Sequence, residues 1–284
     1  MIGYRVARAI AEDDADLYAA DAVLETPLGR YEGRAAIARA HATRRRAFPG
    51  LRAALHDEFT SADGTRACLR LRLTWATGSA VETHALTLAD DRIAEQILGV
   101  STFDMAKVLL VDLGLDFPRD RPDTKPEMDT RDGSTLARRF VRAFDARDLA
   151  AFDDLCAPDV AIYTPLGWPI AGLDAVKGFV DEFHASNPGL RITLHDEFAS
   201  ADGTRVCWRI RLHFHNTAPF FGNPPTGERG VMSETHSITL RDGRIARFVV
   251  GDNLFVMPHQ ELVTWRMDFP AGTADPDPEL VPPG

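Results

Sequence analysis

The sequence predicts an α+β protein built from two tandem copies of one domain, and three observations carry that prediction. Leu55-His56-Asp57-Glu58-Phe59-Thr60-Ser61-Ala62-Asp63-Gly64-Thr65-Arg66 returns as Leu194-His195-Asp196-Glu197-Phe198-Ala199-Ser200-Ala201-Asp202-Gly203-Thr204-Arg205, with a single change. Echoes lie on both sides of it: Thr26-Pro27-Leu28-Gly29 recurs as Thr164-Pro165-Leu166-Gly167, Glu82-Thr83-His84 as Glu234-Thr235-His236, and Asp116-Phe117-Pro118 as Asp268-Phe269-Pro270. Within each copy, helical periodicity comes first and two-residue alternation follows, which is the order of an α+β domain.

The copies are offset by 138 residues at Thr26/Thr164, by 139 at Leu55/Leu194 and by 152 at His84/His236, so the second copy carries 13 extra residues between those last two markers. Solenoid units run roughly 20–50 residues, so a period this long means one compact domain per copy. The expected layout is a first domain over 1–118, a linker over 119–132, a second domain over 133–270 and a tail over 271–284. Pro122, Pro126 and mixed charges leave the linker little to bury, and the Pro/Asp/Gly-rich tail reads as disordered.

In the second copy a helix begins near Ser134, with Leu136, Phe140, Val141 and Phe144 at helical spacing, and Asp148 to Cys156 supplies a short one. Val160 to Tyr163 is the first strand. Gly172 to His184 is a further helix, with Val176, Phe179, Val180 and Phe183 on one stripe, ended near Pro188-Gly189. Strands follow at about 190–198, 204–215, 231–240 and 244–252, joined by Ala201-Asp202-Gly203 and Arg241-Asp242-Gly243 turns.

A formal charge of −10 argues against a nucleic-acid partner, which needs clustered Lys and Arg, and Arg44-Arg45-Arg46 reads as a solvated helix face. No apolar stretch reaches the roughly 20 residues of a membrane span, and the first residues lack a secretion-signal pattern, so a cytoplasmic protein is expected. Cys68, Cys156 and Cys207 read as buried free thiols. His213 and His215 face one way, but Arg209 and Arg211 on the same face repel a cation, so no metal is expected there. The row reads instead as a solvated face or a contact between the copies. No Gly-rich phosphate loop or Gly-x-Ser-x-Gly elbow occurs, and no cofactor is expected.

The order of elements, the Pro-Leu-Gly turn after the first strand, the Phe221-Gly222-Asn223-Pro224-Pro225-Thr226-Gly227 hairpin and the closing Arg241 to Asp252 segment resemble the SnoaL-like polyketide cyclases of the nuclear-transport-factor-2-like superfamily. The resemblance covers the second copy well and the first less well. It implies two cone-shaped α+β barrels, each a curved antiparallel sheet wrapped on helices, with the first copy serving as the pseudo-dimer partner of the second. Whether the chain stays monomeric or forms a further homodimer is left open. The tandem arrangement also resembles the two-domain epoxide hydrolases that form ether rings, although Thr26 and Thr164 stand where those enzymes place a catalytic Asp.

Alternation places Asp196 on the inward face with Leu190, Ile192 and Leu194, and Asp57 likewise with Leu51, Ala53 and Leu55. A bulge would turn either acid outward instead. His236 shares parity with Ile238 and Leu240, and His84 with Leu86 and Leu88. The resemblance matches Asp252 to the general acid/base of the aldol cyclases, and Val100 stands in its place in the first copy. The expected catalytic set is therefore Asp252, with His236 as partner and Asp196 as second acid. The expected substrate contacts are Tyr163, Trp168, Phe179, Phe183, Trp208, Phe220, Phe221 and Glu234, and Asp57, Glu82 and His84 are candidates for a second pocket. The extra loop, Asn216 to Gly230, reads as a lid. The expected function is a cofactor-independent acid–base cyclase or isomerase acting on a hydrophobic, polyketide-type small molecule. Epoxide opening, and sequestration of such a molecule by a binding or self-resistance protein, are the alternatives.

Overall fold

A computed structural model describes residues 1–12, 14–165 and 169–267. The tail, the Asp268-Phe269-Pro270 echo and Trp168 lie outside the described residues. The first copy runs α1 (Ile2–Glu12), β1 (Tyr18–Thr26), β2 (Gly29–Glu32), α2 (Arg34–Ala47), β3 (Arg52–Thr60), β4 (Arg66–Trp75), β5 (Gly78–Ala89), β6 (Arg92–Val100) and α3 (Phe103–Lys107). The second repeats this as α4 (Leu136–Asp145), α5 (Phe152–Leu155), β7 (Cys156–Tyr163), β8 (Pro169–Ala171), α6 (Leu173–Ser186), β9 (Arg191–Ala199), β10 (Arg205–His215), β11 (Arg229–Arg241), β12 (Arg244–Asp252) and α7 (Val256–His259). The helices α3 and α7, each continued by one π-helical turn (Val108–Asp112 and Gln260–Thr264), were not foreseen.

Local chemistry explains why the duplicated segment folds the same way twice. Asp63 Oδ1 accepts from the Thr65 backbone N–H at 3.0 Å and from the Ser61 hydroxyl at 2.6 Å, and Asp202 repeats both bonds with Thr204 at 3.0 Å and Ser200 at 2.5 Å. Each pins a hairpin whose next residue, Gly64 or Gly203, takes a positive φ that a side chain would disfavour. On α4, the Thr135 hydroxyl caps the Arg138 N–H.

The strands form one sheet in the order β3-β4-β5-β6-β12-β11-β10-β9, a palindrome about the β6/β12 junction. β1 and β7 add in parallel to β6 and β12. At the junction Asp252 pairs with Val100, and the backbone at Gly99 lies so near Gly251 that a Cβ there would come within 2.4 Å of the Gly251 carbonyl oxygen. Each copy buries a core under its helices, and Phe255 and Leu262 from the end of the second copy join the first copy's core.

The two halves of the sheet also meet through a small buried cluster of Phe59, Cys68, Ala85 and Cys207 with Phe198 against it. Two reciprocal ion pairs flank the cluster. Arg66 grips Asp196 with both guanidinium arms and lies 4.6 Å over the Phe198 ring, while Arg205 grips Asp57 and lies 5.1 Å over Phe59. Such isologous pairing is what a fused pair of like domains produces. All three cysteines are buried free thiols.

Three outward-facing expectations are corrected by packing. The 119–132 segment is a strap: its Asp120 and Asp123 bind Arg211 and Arg209, its Lys125 carbonyl accepts from His195 at 2.9 Å, and Met128 N–H donates to Leu194 at 2.7 Å. Arg209 and Arg211 are thus covered by this strap, and form neither a solvated face nor a direct contact between the copies. Arg44, expected on a solvated helix face, turns inward to Glu82.

Candidate active site

The second cone encloses a cavity of about 70 Å³ with apolar walls, among them Phe140, Phe144, Phe179, Phe183, Phe220 and Phe248, and an acidic end formed by Glu234, Asp252 and Glu261 beside His236. Strand register assembles that end. Glu234 on β11 stands directly opposite Asp252 on β12, and His236 opposite Val250, so all of them share the inward face, with roughly 5 Å between opposed Cβ atoms. Glu261 arrives from the π-helical turn after α7.

Hydrogen bonding fixes the histidine. Trp208 Nε1–H, which can only donate, donates to His236 Nδ1 at 2.7 Å, so Nδ1 carries the lone pair. The proton of the neutral ring therefore sits on Nε2, which lies 2.7 Å from Glu234 Oε2 and donates to it. Both ring nitrogens are committed, and the ring orients Glu234. The expected pairing of His236 with Asp252 is not formed: the carboxylate it binds is that of Glu234, expected from the sequence among the substrate contacts.

Asp252 is 5 % exposed. Burial first, then the nearby Glu234 and Glu261 charges, push its carboxyl well above the ordinary aspartate value. Burial alone raises Glu261, which is 2 % exposed and whose Oε2 finds no hydrogen-bond partner among the described residues. Several carboxyls crowded into an apolar end cannot all ionise, so proton retention by Asp252 and Glu261 follows from the geometry. Sequence reasoning missed Glu261. Its signal was the four-residue spacing from Met257, which puts both on one helical face lining the cavity.

Asp196 is not in this site. A bulge at His195 sets Leu194 opposite Ile210 but Asp196 opposite Arg209, which flips the parity and turns the carboxylate to the contact between the copies. Burial would raise its carboxyl, but Arg66 and Lys125 outweigh burial and hold it at about 2. The same bulge at His56 sends Asp57 to Arg205. Neither acid lines the cavity of either cone.

The aromatic expectations divide. Phe179, Phe183 and Phe220 line the cavity. Tyr163 turns its ring to Arg247, 5.4 Å away, on the opposite face of β7 from Ile162 and Thr164. Trp208 lies behind the wall, against Phe140 and Phe248, and works through His236. Phe221 is half exposed and stacks on Phe179 at 5.9 Å.

The first cone is open too, with a larger cavity of about 230 Å³. Glu82 lines it and is bound by Arg44 from α2, with His84 Nε2 3.3 Å away. Gln96 Nε2 donates to His84 Nδ1 at 2.7 Å, the role Trp208 plays in the second cone, and Tyr18 donates to Gln96. Burial works to raise the Glu82 carboxyl, but Arg44 and His84 outweigh it and hold it below the ordinary glutamate value.

The sequence matches the SnoaL-like domain twice, over residues 5–96 and 137–248, and the chain belongs to that family with two such domains in tandem. No functionally curated protein matches it. Among solved structures it is similar to TsrD from Streptomyces laurentii, at 20% identity and a TM-score of 0.40 over 48% of this chain and 98% of TsrD. IdmH from Streptomyces antibioticus gives 24% identity and a TM-score of 0.37 over 47% and 98% of the two chains. A SnoaL-like polyketide cyclase from Agrobacterium tumefaciens gives 17% and 0.36 over 45% and 98%. Among the described residues, no helix is long and apolar enough to cross a membrane.

Proposed function

We propose that the second cone is a cofactor-independent acid–base site that isomerises or cyclises a hydrophobic, oxygen-rich small molecule of polyketide type. The observation that carries this reading is the opposition of Glu234 and Asp252 inside an apolar cavity, with Asp252 keeping its proton and Glu234 oriented by His236. Glu234 takes a proton from the carbon beside a substrate carbonyl while Asp252 gives its proton to the carbonyl oxygen. An enol forms, Glu234 becomes the acid and Asp252 the base. The enol carbon then adds to a second carbonyl and closes a ring, or is reprotonated elsewhere as an isomer. Either route returns both protons. The apolar wall excludes water, and the Asn216 to Gly230 loop, which sets Phe220 against Phe183 at 5.1 Å, covers part of the cavity as a lid.

An aryl 1,5-diketone in deuterated buffer tests this reading, because the chain should catalyse exchange at the carbon beside the carbonyl and then ring closure. Asp252→Asn and Glu234→Gln should each lose about 10²-fold or more, and His236→Ala less, since it positions Glu234 and does not itself move the proton. Full activity in both acid variants would remove the assignment. Binding with neither exchange nor ring closure would favour sequestration, and hydrolysis of an aryl epoxide in place of exchange would favour epoxide opening.

A further inference from the structure

The first cone differs from the second in the one property that selects ligands most sharply, its charge. Its cavity of about 230 Å³ has an apolar body of Leu24, Leu28, Leu98, Val100, Met105 and Leu109. The ionised groups lining it are Glu82, Arg44 and Arg39. Glu82 and Arg44 neutralise one another at the buried end, which leaves Arg39 as the surplus charge.

Arg39 is exposed, lines the cavity from α2, and makes no hydrogen bond or ion pair with any described residue. Thr43 stands one helical turn further on the same face, and its hydroxyl, an acceptor for Arg46 at 2.9 Å, keeps its own proton to donate. A fixed fork of guanidinium donors with a hydroxyl beside it, at the rim of an apolar chamber, is complementary to a carboxylate whose body is apolar. The second cone, lined by Glu234, Asp252 and Glu261 and by no cation, repels the same molecule.

We propose that the first cone is a separate binding site for a small amphipathic carboxylic acid, its apolar body inside the cavity and its carboxylate on Arg39 and Thr43 at the rim. This goes beyond the acid–base reading of the second cone and does not depend on it.

The test is titration calorimetry of the full chain with 2-naphthoate and with its uncharged counterpart 2-naphthamide. Naphthoate should bind once per chain and about tenfold or more tighter than the amide, with the difference shrinking in high salt because Arg39 is exposed. Arg39→Gln should weaken naphthoate about tenfold and leave the amide unchanged. Ala40→Phe should weaken both, because Ala40 also lines the cavity; the second copy carries Phe179 at the matching position, so the fold accommodates that side chain. The proposal is overturned if naphthoate fails to bind, if acid and amide bind alike, if Arg39→Gln weakens both equally or neither, or if Ala40→Phe changes nothing.

Discussion

Two cones of one fold hold the same Glu-Thr-His segment at the same strand position and give it opposite chemistry. In the first, Glu82 is answered by Arg44 and faces Val100 across the strand pair. In the second, Phe183 occupies the Arg44 position, Asp252 replaces Val100 and Glu261 replaces Leu109, so the matching Glu234 is met by acids. The histidine is locked by a donor to Nδ1 in both, from Gln96 in one and Trp208 in the other. A duplicated scaffold thus keeps its backbone and its histidine–glutamate pair, and three positions around the carboxylate decide whether it is paired with a cation or set among other carboxyls.

Moving one of those positions should produce the largest effect. Phe183→Arg places a guanidinium where the first cone has Arg44, and it should pair with Glu234 and lower diketone exchange about 10²-fold while far-ultraviolet circular dichroism stays unchanged. Undiminished exchange would mean that the cationic partner is not what separates the cones.

The contact between the cones comes next. Asp57→Asn and Asp196→Asn each leave a half-buried arginine without its carboxylate and should cost about 2 kcal/mol in urea unfolding, below the 3–5 kcal/mol of fully buried pairs. Both carboxyls are held below their unfolded value, so their stabilisation is present above the ordinary aspartate range near 3.8 and is lost as pH falls from there through about 2 for Asp196. A double variant unfolding with unchanged acid sensitivity would show that the ion pairs add nothing. The smallest effect is expected from the loop: replacing Asn216 to Gly230 with Ala76-Thr77-Gly78-Ser79 should weaken substrate binding about tenfold, roughly 1.4 kcal/mol, and unchanged binding would show that it is no lid.

The duplication, the strand run and the inward face of β11 were legible because repeats and two-residue alternation are written directly in sequence. Glu234 and His236 reached the cavity wall by that logic, Phe179 and Phe183 by helical spacing on α6, and Phe220 through the extra loop. Asp196 and Asp57 did not, because a single bulged residue, His195 or His56, reverses parity and leaves no mark in composition. Glu261 escaped because its helical segment is short and follows the last strand, where no alternation predicts a return to the cavity. Arg44 escaped because a run of three arginines reads as solvent-facing until the buried carboxylate it answers is known.

Asp252 keeps its proton well above the pH at which an ordinary aspartate loses it. Its folded value lies above its unfolded one, so the folded chain holds a proton that the unfolded chain has released, and this acid costs stability as pH rises above the ordinary aspartate range near 3.8. Carbon-13 NMR of aspartate side-chain carboxyls, with the Asp252 signal assigned by its loss in Asp252→Asn, measures this directly. The Asp252 resonance should stay at the protonated position well above the ordinary aspartate range, while Asp196 has already ionised near pH 2. A resonance for Asp252 that titrates with the ordinary aspartates near pH 4 would contradict the account.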